Sequence, residues 1–367
     1  MRIAFICHKL FDERANTALA YALDSLGHPC IVIGFGRKDK PELLSYADAV
    51  IEVGHARSDE IPKNCIHIAW VQEYYGNGRD PDYNGRALPQ DRIYTFGDPR
   101  ILGAPQFKHW IGSLCMGVDP ELLNQPPVKP NLDFSIAGFI ASPKFFKDPV
   151  TNPITAKLMD LIVAETRITP LSGSFDQAGE VARFKTILDG YFDPRSRASI
   201  DAVSAMNIHE TARLQNRFAL ARLILSVSKN VEFWGLHWDL WPEFAAYAKP
   251  FTNDRKALLD LYQRSRINAH DNIFGFAMHS RVLEAMAVGG FVMAHGSPHV
   301  GAAGQMTETF IPGVHYGEYN ADNFVEEAGW WLKHPYERQR ASVEARKVIA
   351  DKHLWKHRAQ QILNDLA

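Results

Sequence analysis

The first 114 residues alternate between short apolar runs and segments with helical spacing. The apolar runs lack a polar–apolar alternation, which is typical of parallel strands that are buried on both faces. Helical signals between them, such as residues 13–26 followed by Gly27, favour repeated strand–helix–strand units and therefore an α/β fold with a Rossmann-like open sheet. The predicted strands are residues 2–8, 30–34, 49–53, 66–70, 92–96 and 109–114.

The residues after the first strand argue against a nicotinamide dinucleotide enzyme. A Gly-x-Gly-x-x-Gly turn lets the backbone approach a pyrophosphate closely. The chain has His8-Lys-Leu-Phe-Asp-Glu-Arg14 at that position instead. The first sheet is therefore not expected to bind NAD.

A second group of strands follows the proline-rich stretch 125–131, which we interpret as an interdomain linker. Because 367 residues exceed what one hydrophobic core usually supports, we expect two domains, residues 1–125 and 131–350, followed by a C-terminal helix at 351–367. Polar residues dominate about 143–210, which predicts a mostly helical insertion in the second domain. The predicted strands of the second domain are 132–140, 231–235, 266–270 and 291–294.

Charge and cysteine content narrow the classes of function. The formal net charge is −2, which does not indicate a broad basic surface for coating nucleic acid. The four cysteines lie in or beside apolar runs without metal-ligand spacing, which indicates buried free thiols in a reducing compartment. Neither a signal peptide nor a membrane-spanning run is recognisable, so we expect a cytoplasmic protein.

The stretch 280–294 begins as a polar helix, passes through a Gly-Gly turn and continues as an apolar strand. Arg281 and Glu284 lie near the start of this helix, where backbone N–H groups and the helix dipole favour an anion such as a diphosphate. Later features are the turn 310–316, a helix ending near His334, and a last helix with His353 and Arg358. Together they resemble the C-terminal half of group 1 glycosyltransferases, in particular the spore-maturation-protein B-like branch.

The resemblance implies a GT-B fold, in which two Rossmann-like domains face a cleft and the nucleotide-sugar donor lies on the C-terminal domain. It implies that Glu284 accepts hydrogen bonds from the donor ribose and that Arg281 contacts phosphate, although Arg281 could instead pair with Glu284 at i, i+3. Many members have a second Glu eight positions earlier. Position 276 is Phe276 here, so retaining and inverting chemistry both stay open.

Further donor-site candidates lie where predicted strands end. Small residues such as Gly138 and Gly235 let the backbone approach a ligand, and Lys144 adds positive charge. His270 ends another strand, and Ser280 begins the helix. Trp238 either stacks on the base or belongs to the core.

Acceptor candidates lie in the N-terminal domain. His8 and Asp12 follow the first strand, and Trp70 and Glu73 follow the fourth. An aromatic ring covers the apolar face of a sugar, and a carboxylate accepts its hydroxyls. If the transfer is inverting, a base must deprotonate the acceptor, and we predict Glu73, Asp12 or His8 for the catalytic role.

The sequence therefore predicts a metal-independent glycosyltransferase whose donor substrate is a nucleotide-diphosphate sugar, with no other cofactor. The fifteen histidines do not show the ligand spacing of a metal site. The acceptor is open: a sugar, a lipid, a protein or a nucleobase. The alternatives are a non-catalytic nucleotide- or sugar-binding module, a nucleotide-sugar epimerase, and a transferase that acts on modified DNA bases.

Overall fold

The computed structural model describes residues 1–8, 10–34, 40–72, 81–100, 106–140, 215–252, 254–271 and 278–366, with residue 171 and parts of 182–193 between them. Only the backbone is described for residues 10–13. The insertion predicted at 143–210 lies almost entirely outside the described residues. Within it, residues 186–189 are helical.

Six parallel strands form the first sheet, in the order β2-β1-β3-β4-β5-β6. Each of them falls within one of the six predicted apolar runs or extends it by one residue. The strand order reverses between β1 and β3, which opens a crevice beyond their carboxyl ends. The elements are β1 (Ile3–Ile6), α1 (Leu10–Ser25), β2 (Cys30–Ile33), α2 (Lys40–Ser45), β3 (Ala49–Val53), β4 (Ile66–Val71), α3 (Tyr83–Arg86), β5 (Arg92–Thr95) and β6 (Trp110–Ser113).

The second sheet also has six parallel strands, in the order β12-β11-β10-β7-β8-β9. Its strand order reverses between β7 and β10, the switch point at which ligands bind in doubly wound sheets. The strands β9 and β12 were not predicted. The elements are β7 (Leu132–Ala137), α4 (215–227), β8 (Val231–Trp234), β9 (Ala248–Lys249), α5 (Arg255–Arg264), β10 (Ser265–His270), α6 (Ser280–Ala287), β11 (Val292–His295), β12 (Gly317–Tyr319) and α7 (Phe324–Lys333).

The chain returns to the first sheet at its end. After α8 (Pro335–Lys352), the last helix α9 (Trp355–Leu366) buries Trp355 and Ile362 in the same core cluster as residues of β1 and α1. The hydroxyl of Tyr94 on β5 also donates a hydrogen bond to Asp365 of α9, at 2.7 Å. The last helix is therefore part of the hydrophobic core of the N-terminal sheet.

The predicted single helix that would hold both His353 and Arg358 is wrong. The helix is interrupted because Val118 pairs with the chain at this point: its N–H donates to the His353 carbonyl at 2.8 Å, and its carbonyl accepts from Trp355 at 3.2 Å. His353 therefore caps the C-terminal end of α8, and Arg358 lies in α9. The two side chains still meet, with Arg358 Nη2 2.8 Å from His353 Nδ1.

Trp70 does not serve as an acceptor platform in this structure. Its side chain is fully buried in the core of the first sheet, and its indole N–H donates to the Leu114 carbonyl at 2.8 Å. A ring closed on both faces cannot cover a sugar. The same holds for Trp238, which is fully buried and donates to the Gly138 carbonyl at 2.7 Å. Trp238 thus belongs to the core.

Candidate functional site

Gly138 and Gly235 lie together at the carboxyl ends of β7 and β8. The Gly138 N–H donates to the Trp234 carbonyl at 2.8 Å. Gly235 has a φ of 145°, and a Cβ added there would overlap the Gly138 carbonyl. The two strand ends approach so closely that position 235 requires glycine. Both glycines lie at strand ends, where they were predicted as donor-site candidates, and their role in binding stays a prediction.

Helix α6 begins beside these glycines. His279 caps the helix through its ring, which accepts a hydrogen bond from the Arg281 N–H at 3.3 Å, and Ser280 is the first helical residue. The Arg281 guanidinium donates to the carbonyl of Ala137, the last residue of β7. A Cβ at Gly138 would lie 2.7 Å from Arg281 Nη1. Arg281 therefore places a positive charge at the switch point.

A second cation, Arg217 of α4, approaches the same point from the other side. Its Nη1 donates to the Phe139 carbonyl at 2.6 Å, and its Nε donates to Asp271 Oδ1 at 3.0 Å. Burial, the largest single influence, raises the pKa of Asp271, but the charge and hydrogen bond of Arg217 together with the charges of His270 and Arg281 outweigh it and hold the pKa below its usual range. The other oxygen of Asp271 is buried without a hydrogen-bond partner among the described residues.

His270 lies between these groups and a small cavity of about 20 Å³, which is also lined by Tyr262, Asn268 and Arg281. The cavity has room for about one water molecule. Burial lowers the pKa of His270 to about 4, so the ring is neutral at pH 7. His270 can then form hydrogen bonds to a ligand but does not add positive charge for a diphosphate.

Glu284 lies in the second turn of α6 and is 6% exposed. Its carboxylate forms ion pairs with Arg14 of α1 and, at 3.2 Å, with Arg255 at the start of α5. Arg255 in turn pairs with Asp119 at 2.5 Å. Arg281 is the alternative partner that the i, i+3 spacing suggests, whereas the structure places Arg14 and Arg255 on Glu284. A ligand that binds the Glu284 carboxylate must compete with them.

Segments that follow the carboxyl ends of strands in the two sheets contact each other. Besides the Arg14–Glu284 contact, the Asp98 N–H after β5 donates to the Ala303 carbonyl after β11, at 3.0 Å. An open cavity of about 440 Å³ lies beside this bond, lined by Asp98, Arg100, His299 and their neighbours. The side-chain hydrogen bond from Arg100 lowers the pKa of Asp98, so this carboxylate is anionic at neutral pH.

Among the remaining predicted residues, the structure describes the side chain of His8 but not those of the others. The His8 side chain is half-buried just after β1 and is 2.8 Å from Glu52. Asp12 lies in α1, but its side chain is outside the described part of the chain, as are Glu73, Lys144 and Phe276. The structure therefore brings together the six described donor-site candidates around the start of α6, and it leaves the grouping of the acceptor candidates untested.

Comparison with known proteins adds to this geometry. Residues 211–364 match the family described as Glycosyl transferase-like. Over these residues the chain is similar to that family. The match contains Gly235, His270 and the whole of α6, and it agrees with the prediction of a transferase enzyme. No curated protein sequence matches the chain.

The solved structures that resemble the whole chain include the following two. HepE of Anabaena, solved in complex with UDP and glucose, superposes with a TM-score of 0.53 at 11% identity, over 100% of this chain and 99% of that chain. A glycosyltransferase from Rickettsia africae superposes with a TM-score of 0.50 at 12% identity, over 100% of this chain and 97% of that chain. The two parallel sheets and these likenesses confirm the predicted GT-B fold.

Within the described ranges, no group of three or more His, Cys, Asp or Glu side chains is arranged to hold a metal ion. Every helix described is too short or too polar to cross a lipid bilayer.

Proposed function

We propose that this protein is a glycosyltransferase that moves a sugar from a nucleotide-diphosphate sugar, bound on the second sheet, to an acceptor bound on the first. The observation that carries the proposal is the convergence of Gly138, Gly235 and Arg281 at the switch point of the second sheet. Backbone approach at the glycines and a guanidinium beside a helix N-terminus suit a diphosphate. The match of residues 211–364 to a glycosyltransferase-like family supports this proposal.

In the proposed complex, Arg281 and the first N–H groups of α6 bind the diphosphate, and Glu284 binds the ribose hydroxyls. Stabilisation of the leaving diphosphate by these groups contributes to catalysis without a metal ion. HepE was solved with UDP and glucose, which makes UDP-glucose the first donor to test. Residues 1–125 then form the acceptor domain and residues 131–350 the donor domain. We assign the protein to the spore-maturation-protein B-like branch on the motif at 280–294.

A thermal-shift screen tests the proposal with UDP, UDP-glucose, GDP-mannose and dTDP-glucose, each with and without EDTA. A nucleotide present at 100 times its Kd stabilises the folded chain by about 2.7 kcal/mol, which raises the unfolding midpoint measurably. We expect at least one nucleotide sugar to raise the midpoint equally in both conditions. If all four leave the midpoint unchanged, the proposed function is wrong. A shift that EDTA abolishes contradicts metal independence.

A further inference from the structure

Tyr262 of α5 carries a buried hydroxyl that forms no hydrogen bond to another described residue. The residue is 3% exposed, and its side chain belongs to the same buried cluster as Val282 and Ala285 of α6. A hydroxyl that is buried without a hydrogen bond is costly, so buried hydroxyls nearly always have a partner, either a protein group or an ordered water. The partner of Tyr262 must therefore lie in the space beside α6.

The small cavity beside His270 adjoins Tyr262. Its volume of about 20 Å³ exceeds the roughly 10–15 Å³ that one water molecule needs. The polar residues in its wall are Ser135, Tyr262, Asn268, His270 and Arg281. A buried water requires about two to four polar partners, whereas cavities that stay dry are lined by apolar groups. The size and the lining of this cavity thus fit one water molecule.

Two polar groups in the wall are bonded to each other and to the backbone. The Asn268 amide nitrogen donates to the Tyr262 carbonyl at 2.9 Å and to the Phe291 carbonyl at 3.1 Å. The Ser135 hydroxyl donates to Asn268 Oδ1 at 2.9 Å. These bonds fix the wall and use both amide hydrogens of Asn268. The Tyr262 hydroxyl and the lone pairs of the Ser135 oxygen are then available to the water.

The Tyr262 hydroxyl also lies close to charged groups of the proposed donor site. Burial raises its pKa above the ordinary value of a tyrosine, so the group is neutral at pH 7 and can both donate and accept. The charge of Arg281 lowers this pKa, and the charge of Glu284 raises it. Arg281 lines the same cavity. The hydroxyl and the guanidinium can therefore share one bound water.

We propose that the Tyr262 hydroxyl and one internal water form a hydrogen-bonded bridge that positions Arg281 for the diphosphate, an inference that rests on the proposed function. Because a guanidinium only donates, the water accepts a hydrogen bond from Arg281 and donates to the hydroxyl oxygens of Tyr262 and Ser135. The Ala137 carbonyl holds the Arg281 guanidinium on one side, and the water holds it on the other. Tyr262 is thus a positioning residue that acts through Arg281.

The experiment compares the full wild-type chain with Tyr262→Phe, which removes the hydroxyl and keeps the ring. Tyr94→Phe is the matched control, because it removes a buried tyrosine hydroxyl of the first sheet that is bonded to Asp365. Crystal structures of wild type and of Tyr262→Phe show whether a water lies in the cavity. Calorimetry measures the affinity for UDP, GDP or dTDP, whichever binds most tightly, and for its nucleoside, which lacks the diphosphate. Urea unfolding measures stability.

We expect an ordered water in the wild-type cavity, within hydrogen-bond distance of Tyr262 and Arg281. In Tyr262→Phe the affinity for the nucleoside diphosphate should fall about three- to tenfold, the effect of about one hydrogen bond, while nucleoside affinity stays within about twofold. The urea midpoint of this variant should not exceed that of wild type, because the hydroxyl loses a water partner. Tyr94→Phe should lower the midpoint and leave the ratio of the two affinities unchanged.

Three results would overturn the inference and leave the proposed function intact. One is a wild-type crystal structure without density for a water in the cavity. Another is a Tyr262→Phe variant that is more stable than wild type, since removal of a buried hydroxyl that lacks a partner relieves its desolvation cost. The third is an unchanged ratio of the two affinities in Tyr262→Phe, which a purely structural role predicts. If wild-type protein binds none of the nucleotides, the proposed function fails and this inference fails with it.

Discussion

Glu284 is the residue on which the donor site can be tested most sharply. If its carboxylate binds the ribose diol, Glu284→Gln should weaken UDP binding by about 1–3 kcal/mol, the usual contribution of a charge-assisted hydrogen bond. The same variant should bind 2′,3′-dideoxy-UDP as tightly as wild type does, because that ligand lacks both hydroxyls. Calorimetry with both ligands gives the coupling directly.

The control for this cycle is Glu243→Gln, which neutralises a carboxylate paired with Arg222 on α4. It should leave the affinity for both ligands unchanged. An equal loss of UDP and dideoxy-UDP affinity in Glu284→Gln would show that Glu284 acts through Arg14 and Arg255 and not through the ribose.

Gly235 gives a second prediction at this scale. Gly235→Ala places a Cβ against the Gly138 carbonyl and holds alanine at a positive φ. We expect it to lower the free energy of unfolding by about 1–3 kcal/mol and to weaken nucleotide binding. Gly329→Ala in α7 is the control, since a Cβ there meets nothing within 4 Å and helical alanine is favourable by about 0.5–1 kcal/mol. Equal urea midpoints for the two variants would contradict the close approach.

The sequence located single residues better than it located their partners. Glu284 and Arg281 were predicted from a local motif, because helix start, glycine turn and strand are written in consecutive residues. Arg14 lies 270 positions from Glu284, and no local pattern connects them. Glu52 had a visible signal, since it is the one charged residue in the apolar strand 49–53, which predicts a buried carboxylate that needs partners. That signal was missed.

His353 lies where α8 and α9 join, and its buried ring should make the stability of the chain depend on pH. Its ring bonds Thr309 at 2.9 Å and Arg358 at 2.8 Å, and burial lowers its pKa to about 3, well below the 6.5 of an unfolded histidine. Between pH 6.5 and 3 the unfolded chain therefore binds a proton that the folded chain excludes. Stability from this group is full above pH 6.5 and is lost as the pH falls toward 3, with a limit of about 1.4 kcal/mol per pH unit.

In His353→Gln, the free energy of unfolding should fall less steeply between pH 7 and 4 than in wild type. The slope should differ by up to the contribution of one proton, about 1.4 kcal/mol per pH unit. Urea unfolding at several pH values measures the difference. A His353→Gln slope equal to that of wild type would mean that the ring takes up its proton in the folded state.

How well a strand or helix could be placed from the sequence depended on its length and on how deeply it is buried. The strands of the first sheet are continuous apolar runs, so their positions could be predicted within one or two residues. The strands β9 and β12 have two and three residues, too few to form a pattern. The break between α8 and α9 contains neither glycine nor proline. It is caused by pairing with Val118, a contact that local sequence cannot show.

Arg14 concerns the whole molecule, because its ion pair with Glu284 joins the two halves of the chain. If the donor ribose uses the same carboxylate, Arg14 and the donor compete. Arg14→Ala should then tighten UDP binding by about two- to fivefold, a modest gain because the Arg14 side chain is 54% exposed and its charge is screened. Arg222→Ala, which removes a similarly exposed ion pair, is the control. Weaker UDP binding in Arg14→Ala would instead make Arg14 part of the donor site.

Hydrogen–deuterium exchange of the full chain, with and without saturating UDP-glucose, tests whether the donor binds on the second sheet. We expect slower exchange in peptides that cover residues 132–140, 231–238, 265–271 and 278–290, where the strand ends and α6 meet. Protection confined to residues 1–114 would contradict it, since the donor would then lie on the first sheet and the assignment of the two sides of the cleft would be reversed.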